Sequence, residues 1–280
     1  MTNGPNAQQA TYWNEGAGPT WAELQVPLDR QLAPLGHAAM AALLPRPGER
    51  LLDIGCGAGA TSLDLARAVS PDGHVTGADI SGTLLAVARR RAEGLAGVEF
   101  LEADVQTHAF APSTFDGVFS RFGVMFFGDP GAAFANIHRA LKPGGRLAFV
   151  CWRTPAENPI MSLPMAAALA KLPPSAASAP PAPGAPGPFA FADPDRVRDI
   201  LADAGFTDVL LTPTDMKVGG GDLETVLAMA LKVGPLGALL REHPEHRDAA
   251  IEAVREALSA HNGPEGVKLG SATWVVTARA

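Results

Sequence analysis

Residues 50–61 read Arg-Leu-Leu-Asp-Ile-Gly-Cys-Gly-Ala-Gly-Ala-Thr, and this stretch decides the fold. The apolar residues before the first glycine predict a short strand that is buried on both faces. Residues 61–67, after the last glycine, predict a helix. Glycines between a strand and a helix allow a sharp turn and a close approach of a ligand to the backbone. Because the start of the helix also presents unpaired N–H groups, the stretch predicts a nucleotide-type pocket.

The carboxylate of Asp53 bears on which nucleotide this pocket holds. The pattern Gly-x-Gly-x-x-Ala at 55–60, with Asp79 about twenty residues further on, also satisfies the loose rule for dinucleotides, so an NAD-dependent oxidoreductase is an alternative. An anion two residues before the first glycine would repel a pyrophosphate. It would attract a ligand that carries an amino group and a sulfonium cation. The only tyrosine, Tyr12, has no lysine four residues later, which weakens the oxidoreductase alternative further.

Strands and helices alternate along the chain after the glycine turn. Further strands are predicted at 75–79, 98–101, 115–119, 146–151, 206–211 and 272–277. This alternation predicts an α/β fold with a doubly wound, mostly parallel sheet. Ligands of such sheets bind at the carboxyl ends of the strands, where the sequence places Gly55, Asp79, Asp104 and Ser120.

The remaining segments predict helices around this sheet. The predicted divisions are a helical N-terminal segment at 1–47, a main domain at 48–152 and 193–280, and insertions at 153–192 and 212–270. The N-terminal segment shows helical spacing of apolar residues and a bend at Pro34. We expect the insertions to form a lid over the substrate. Residues 173–188 are rich in proline and predict an extended or mobile loop.

The motifs of the main domain resemble those of the class I S-adenosylmethionine (SAM)-dependent methyltransferases. An acidic residue followed by Gly-x-Gly-x-Gly, at 53–59, is similar to the first motif of that family. Asp79, Asp104 and the turn at 141–147 occur in the family's order. The resemblance covers residues 50–151 and is strongest to the small-molecule branch that includes the ubiquinone/menaquinone-biosynthesis-type enzymes. It implies a Rossmann-like sheet of seven strands whose last strand, at 272–277, is antiparallel.

The resemblance also implies which residues bind SAM and its product S-adenosylhomocysteine (SAH). Asp79 would accept hydrogen bonds from the ribose hydroxyls, although a helix N-cap is the competing interpretation. Ile80 would pack on the adenine ring. Asp104 and the backbone N–H of Val105 would face the adenine edge, and a solvated turn is the alternative for Asp104. The implied contacts of the glycine turn are Asp53, Gly55, Cys56, Gly57 and Gly59.

Residues after the fourth predicted strand would border both ligands. Ser120 and Arg121 are expected to border both the methionine part of SAM and the acceptor. The expected lining of the acceptor site is Arg121, Phe122 and Met125, although an apolar helix or loop packed in the core is the competing account for Phe122 and Met125. Trp13 and Trp21 would close over the cofactor, while simple packing on the sheet explains them equally well.

Composition limits the remaining function classes. The chain has 280 residues, 47% of them hydrophobic, and a net charge of −7, which argues against a nucleic-acid partner. We interpret Arg89-Arg90-Arg91 as a solvated helix face. The two cysteines predict neither a disulfide framework nor a metal site. The N-terminus has no secretory pattern and no apolar run is long enough for a membrane span, so we expect a cytoplasmic protein. A homodimer is allowed.

The sequence therefore predicts a SAM-dependent methyltransferase that methylates carbon or oxygen of a small molecule. A SAM-binding protein of this fold with another role is the alternative. No catalytic residue is assigned, because His108, the histidine nearest to a motif, has the sequence context of a solvated loop residue.

Overall fold

The computed structural model describes residues 4–176, 182 and 184–280. The strands of its main sheet are β1 Arg50–Ile54, β2 His74–Asp79, β3 Val98–Glu102, β4 Phe115–Arg121, β5 Leu141–Trp152, β6 Thr207–Val218 and β9 Leu269–Arg279. Their order is β3-β2-β1-β4-β5-β9-β6. β9 runs antiparallel to both of its neighbours, and all other pairs are parallel. The predicted Rossmann-like sheet with an antiparallel last strand is confirmed. A separate small hairpin joins β7 Asn262–Gly263 to β8 Gly266–Val267.

Helices precede, connect and cover these strands. Their bounds are α1 Ala7–Thr11, α2 Ala17–Glu23, α3 Gln25–Leu43, α4 Ala60–Val69, α5 Gly82–Arg91, α6 Pro130–Ala140, α7 Pro159–Leu169, α8 Pro194–Asp203, α9 Leu223–Lys232, α10 Pro235–Glu242 and α11 Arg247–Ser259. A π-helical turn, Tyr12–Gly16, connects α1 to α2. The N-terminal segment is therefore helical, as predicted, and α3 continues through Pro34.

The main core lies between the sheet and the helices that pack on it. Its fully buried side chains come from the centre of the sheet and from the inward face of α3 and α6, and they include Leu35, Leu52, Phe119, Phe134 and Phe149. The strands β1 and β4 are adjacent, so their carboxyl ends meet at one edge of the sheet. That edge is where the glycine turn begins.

A second hydrophobic core lies within the helices α7, α9, α10 and α11, which we call the helical cap. Its fully buried members include Ala168, Val254 and Leu258. α7 packs against both α11 and β9, so the cap adjoins the antiparallel part of the sheet. The cap thus has its own apolar interior, distinct from the main core.

The second insertion is shorter than predicted. Residues 212–218 belong to β6, which pairs with β9 as far as Val218. Because β6 is an edge strand with mostly exposed side chains, this part of the chain lacks the apolar pattern that marks a buried strand. Part of the proline-rich loop predicted at 173–188, namely residues 177–181 and 183, lies outside the described residues.

Among the described residues, no single helix is long and apolar enough to span a membrane. Only α9 and α10 taken together reach the required length and composition, and they are bent by 73°.

Candidate active site

The glycine turn leaves β1 and enters α4 through three glycines with positive φ. These are Gly55 at +64°, Gly57 at +54° and Gly59 at +83°. A Cβ on Gly55 would lie 2.7 Å from the Cα of Gly123, so packing alone requires glycine there. A Cβ on Gly57 would meet nothing closer than 3.9 Å. The backbone at Gly57 therefore faces open space that a ligand can enter.

Asp53 lies directly beneath this turn and is completely buried. Its Oδ2 accepts hydrogen bonds from Thr61 Oγ1 at 2.7 Å and Ser62 Oγ at 2.6 Å, both at the start of α4. Its Oδ1 is buried and has no partner among the described residues. Burial raises the pKa of Asp53 to about 6, although the two hydroxyls and the nearby Arg121 oppose the rise. The site thus holds a buried carboxylate oxygen that lacks a donor.

Asp79, the last residue of β2, lies across the turn from Asp53. Its Oδ2 accepts from the backbone N–H of Gly57 at 2.8 Å, and its Oδ1 accepts from the N–H of Ser81 at 2.8 Å. Burial raises the pKa of Asp79, and these backbone donors oppose the rise. The N-cap of α5 is Ser81, whose Oγ accepts from Leu84 N, so the N-cap alternative for Asp79 is wrong. Asp79 instead holds the glycine turn in place.

Asp104 follows β3 at the same edge of the sheet. Both of its carboxylate oxygens accept from Asn6 Nδ2, at 2.9 and 3.0 Å, and Oδ1 also accepts from the N–H of Gln106. Asp104 is therefore not a simple solvated turn residue. Each carboxylate oxygen has two lone pairs, so this arrangement still allows a further donor. The neighbouring Val105 is buried, and its carbonyl accepts from Asn136 Nδ2.

The residues at the end of β4 and just after it contribute to packing more than the sequence suggests. Ser120 is fully buried, and its Oγ donates to the carbonyl of Ile54, which ties β4 to β1. Phe122 has a φ of +61° and stacks on Trp152 with ring centroids 4.2 Å apart. Met125 lies in the main core with 1% of its surface exposed. Phe122 and Met125 therefore line no open cavity in this structure, and their contact with an acceptor stays a prediction.

The N-terminal segment lies across the carboxyl ends of β2, β3 and β4. The ring of Trp13 packs edge-on against Trp21 and Phe126, at 5.6 and 5.2 Å. The carbonyl of Trp13 accepts from Ser81 Oγ at 2.7 Å. The side-chain amide of Asn14 donates to the carbonyl of Ile80 at 3.2 Å. The two tryptophans thus pack against each other, and Trp13 also contacts Phe126 and the N-cap of α5.

Several residues that shape the site carry no signal in the sequence. Arg91 is not on a solvated face as predicted, because its Nη1 donates to the carbonyl of Ala58 at 2.7 Å and to Asp29 Oδ2 at 2.9 Å. Asp29, on α3, also accepts from Arg121. Asn6 was missed as well, since its partners lie about a hundred residues away. Only contacts that are distant in the sequence reveal these residues.

Comparison with known proteins identifies the family. A profile described as a methyltransferase domain matches residues 51–145. The chain is 31% identical over 236 residues to nocamycin O-methyltransferase of Saccharothrix syringae, which covers 81% of this chain and 84% of the relative. It is 39% identical over 116 residues to the ubiquinone/menaquinone biosynthesis C-methyltransferase UbiE of Teredinibacter turnerae, which covers 40% of this chain and 47% of the relative. The chain thus spans less than half the length of that relative.

Solved structures agree on the fold. The YcgJ protein from Bacillus subtilis matches with a TM-score of 0.56 and 17% identity, over 87% of this chain and 98% of that one. Phosphoethanolamine N-methyltransferase 2 of Haemonchus contortus, solved in complex with SAM, matches with a TM-score of 0.53 and 19% identity, over 100% and 58%. Taken with the glycine turn and the extended match to an O-methyltransferase, these findings mean that the chain belongs to the class I SAM-dependent methyltransferases.

Proposed function

We propose that the protein transfers the methyl group of SAM to an oxygen or carbon atom of a small-molecule acceptor. One observation carries the assignment of the cofactor site, namely the buried Oδ1 of Asp53 that lacks a donor beneath an open glycine turn. Such an oxygen can accept a hydrogen bond from an ammonium group, and SAM carries an ammonium group. A pyrophosphate would meet repulsion there. The residues present therefore fit SAM.

The roles of the surrounding residues follow from their places at this edge of the sheet. The backbone at Gly57 would approach the cofactor closely, with Gly55, Cys56 and Gly59 forming the turn. Asp79 would accept from the ribose hydroxyls in addition to the backbone groups that it already holds. Ile80, Asp104 and Val105 would contact the adenine, and Ser120 the methionine part. Trp13 and Trp21 would exclude water from the cofactor.

When bound, SAM supplies an activated methyl group, and displacement at its carbon releases a neutral thioether. The protein has to align the acceptor atom with that carbon and to keep water away. The packed N-terminal segment supports the second task, because it is hydrogen-bonded to Ile80, after β2, and to Ser81 at the start of α5. We assign the first task to the helical cap and the residues after β4, including Phe122 and Met125.

The small-molecule class of the acceptor rests on charge and on the relatives. The net charge of −7 disfavours a polyanionic acceptor. The relative that matches over most of its length is named an O-methyltransferase of nocamycin, and another is named a C-methyltransferase of ubiquinone/menaquinone biosynthesis. Both names point to acceptors with oxygen or carbon nucleophiles.

Transfer from methyl-labelled SAM tests this proposal. The protein is incubated with the low-molecular-mass and the macromolecular fraction of a cell extract, and with pure phenols, quinones and keto acids. We expect label in a low-molecular-mass product, and Gly57→Val should abolish it. Label found only in protein or nucleic acid would contradict the proposal.

A further inference from the structure

Arg121 ends β4 beside the glycine turn and is held there by the N-terminal segment. Its Nη2 donates to Asp29 Oδ1 on α3 at 3.0 Å. The second oxygen of Asp29 accepts from Arg91, which also donates to the carbonyl of Ala58 in the turn. A Cβ on Gly36 would lie 2.9 Å from Arg121 Cδ, so α3 packs closely on the arginine stem. These contacts fix the guanidinium in one position.

The guanidinium has donors to spare in that position. An arginine presents five N–H groups, and Asp29 is the one acceptor that Arg121 meets in the part of the chain that the structure describes. Its side chain is 13% exposed. Its nitrogens are not among the buried polar atoms that lack a partner, so the remaining N–H groups face accessible space. Arg121 is therefore a nearly buried cation with accessible N–H donors that no described residue accepts from.

The buried anion of the site stands on the adjacent strand. Asp53 on β1 pairs in register with Phe119, two residues before Arg121 on β4. The segment after Arg121 touches the glycine turn, since a Cβ on Gly55 would collide with Gly123. The positive charge of Arg121 acts on Asp53 strongly enough to oppose the rise of its pKa. One edge of the sheet thus presents a cation and an anion side by side, each with an unused hydrogen-bonding group.

The amino-acid end of SAM carries the complementary pair, an ammonium and a carboxylate on one carbon. We propose that Arg121, positioned by Asp29, binds the α-carboxylate of SAM while Asp53 accepts from the ammonium. This inference rests on the proposed cofactor site and adds a determinant of cofactor specificity to it. Arg121 then binds the cofactor itself, whereas the sequence indicates only a position that borders both SAM and the acceptor.

Calorimetric titration with SAM and with decarboxylated SAM, which differs only by the missing carboxylate, tests the assignment. We expect wild type to bind SAM 10- to 100-fold more tightly than the decarboxylated compound, the range that a charged hydrogen bond supplies. Arg121→Gln should bind SAM as weakly as wild type binds the decarboxylated compound, and its affinity for the latter should change less than about threefold. Arg121→Lys should restore part of the preference.

Two further variants separate this role from others. Asp29→Asn should reduce the preference for the carboxylate, because it loosens the position of Arg121. Arg90→Gln, which removes the same charge from the exposed end of α5, should leave both affinities unchanged.

Three outcomes would overturn the inference. If Arg121→Gln lowered the affinities for SAM and for decarboxylated SAM equally, Arg121 would have a structural role only. An unchanged SAM affinity with a raised KM for the acceptor would place Arg121 in the acceptor site. Wild type that binds neither SAM nor SAH would contradict the proposed cofactor site itself. The first two outcomes would contradict only the role of Arg121.

Discussion

The buried carboxylate of Asp53 lowers the free energy of unfolding of the unliganded protein at neutral pH. Its pKa is 3.8 in an unfolded chain and about 6 in the fold, because burial disfavours the charged form. Between these values the folded state binds more protons, so stability falls as the pH rises from about 3.8 to 6 and the loss is complete above that range. The difference corresponds to about 3 kcal/mol. A carboxylate kept in such a place is explained by a cation that binds to it.

We expect Asp53→Asn to remove this dependence on pH. The amide oxygen can still accept from Thr61 and Ser62, so the fold should persist. Relative to the variant, the free energy of unfolding of unliganded wild type should fall by about 2 kcal/mol from about pH 4 to pH 7, measured by urea unfolding.

The same variant should lose the pH dependence of cofactor binding. Wild type should bind SAH about tenfold more weakly at pH 5 than at pH 7, since Asp53 must be ionised to accept from the ammonium. Asp53→Asn should bind weakly at both. Wild-type affinity and an unaltered pH profile in the variant would contradict the role of Asp53.

Gly57 offers a second test at the residue scale. Gly57→Val should abolish SAM binding, because the side chain would fill the space that the backbone leaves open at φ +54°. Gly144→Val is the matched control, since Gly144 has a φ of +75° and its added Cβ meets nothing within 4 Å. Both variants carry the strain of a left-handed valine, but only the first should lose affinity in calorimetry. Retained binding by Gly57→Val would mean that the turn is not the cofactor site.

At the scale of elements, the N-terminal segment is tied to the sheet by a few polar side chains. Asn6 is the clearest case, because its amide donates to Asp104 and Gln106 while its oxygen accepts from the N–H of Gly128. These contacts join the start of the segment to the ends of β3 and β4. Opening of the segment must break them.

We expect Asn6→Ala to loosen this segment. Amide hydrogen exchange across 7–16 should accelerate by about tenfold, because the variant removes the amide donor that Asp104 and Gln106 share. Gln8→Ala, at an exposed position on α1, is the control and should have no such effect. Unchanged exchange in Asn6→Ala would show that aromatic packing of Trp13 and Trp21 holds the segment instead.

The sequence was sufficient for elements whose signals are local. The buried parallel strands appear as short apolar runs, and Ser81 is an N-cap whose partner is three residues away. Residues 212–218 of β6 were missed because an exposed edge strand has no apolar pattern. Asn6, Asp29 and Arg91 were missed or misread because each acquires its role from partners that are 33 or more positions away along the chain. The glycine turn could be predicted from consecutive residues, whereas the charged side chains that support it, Asp29 and Arg91, are distant from it in the sequence.

At the scale of the whole molecule, we propose that one hydrophobic core supports cofactor binding and the other supports acceptor recognition. The main core supports the cofactor edge of the sheet through β1, β4 and α4. The helical cap has a separate interior and adjoins β9. We assign acceptor recognition to the cap and the residues after β4, which matches the expectation that insertions form the lid.

Paired substitutions in the two cores test this division. Leu258→Ala in the cap and Leu65→Ala in α4 each remove a fully buried side chain and should each cost about 2–5 kcal/mol of folding free energy. Leu258→Ala should change SAH affinity less than about twofold, whereas Leu65→Ala should weaken it because α4 carries the donors to Asp53. Equal losses of SAH affinity would show that the two cores do not act separately.

The central claim is that the edge of the sheet around Asp53 and Gly57 binds SAM. Isothermal titration of the purified protein with SAM, SAH and NAD tests it most directly. We expect one-to-one binding of SAM and SAH and no binding of NAD. Binding of NAD alone would mean that the carboxylate of Asp53 does not select the cofactor, and the account would be contradicted.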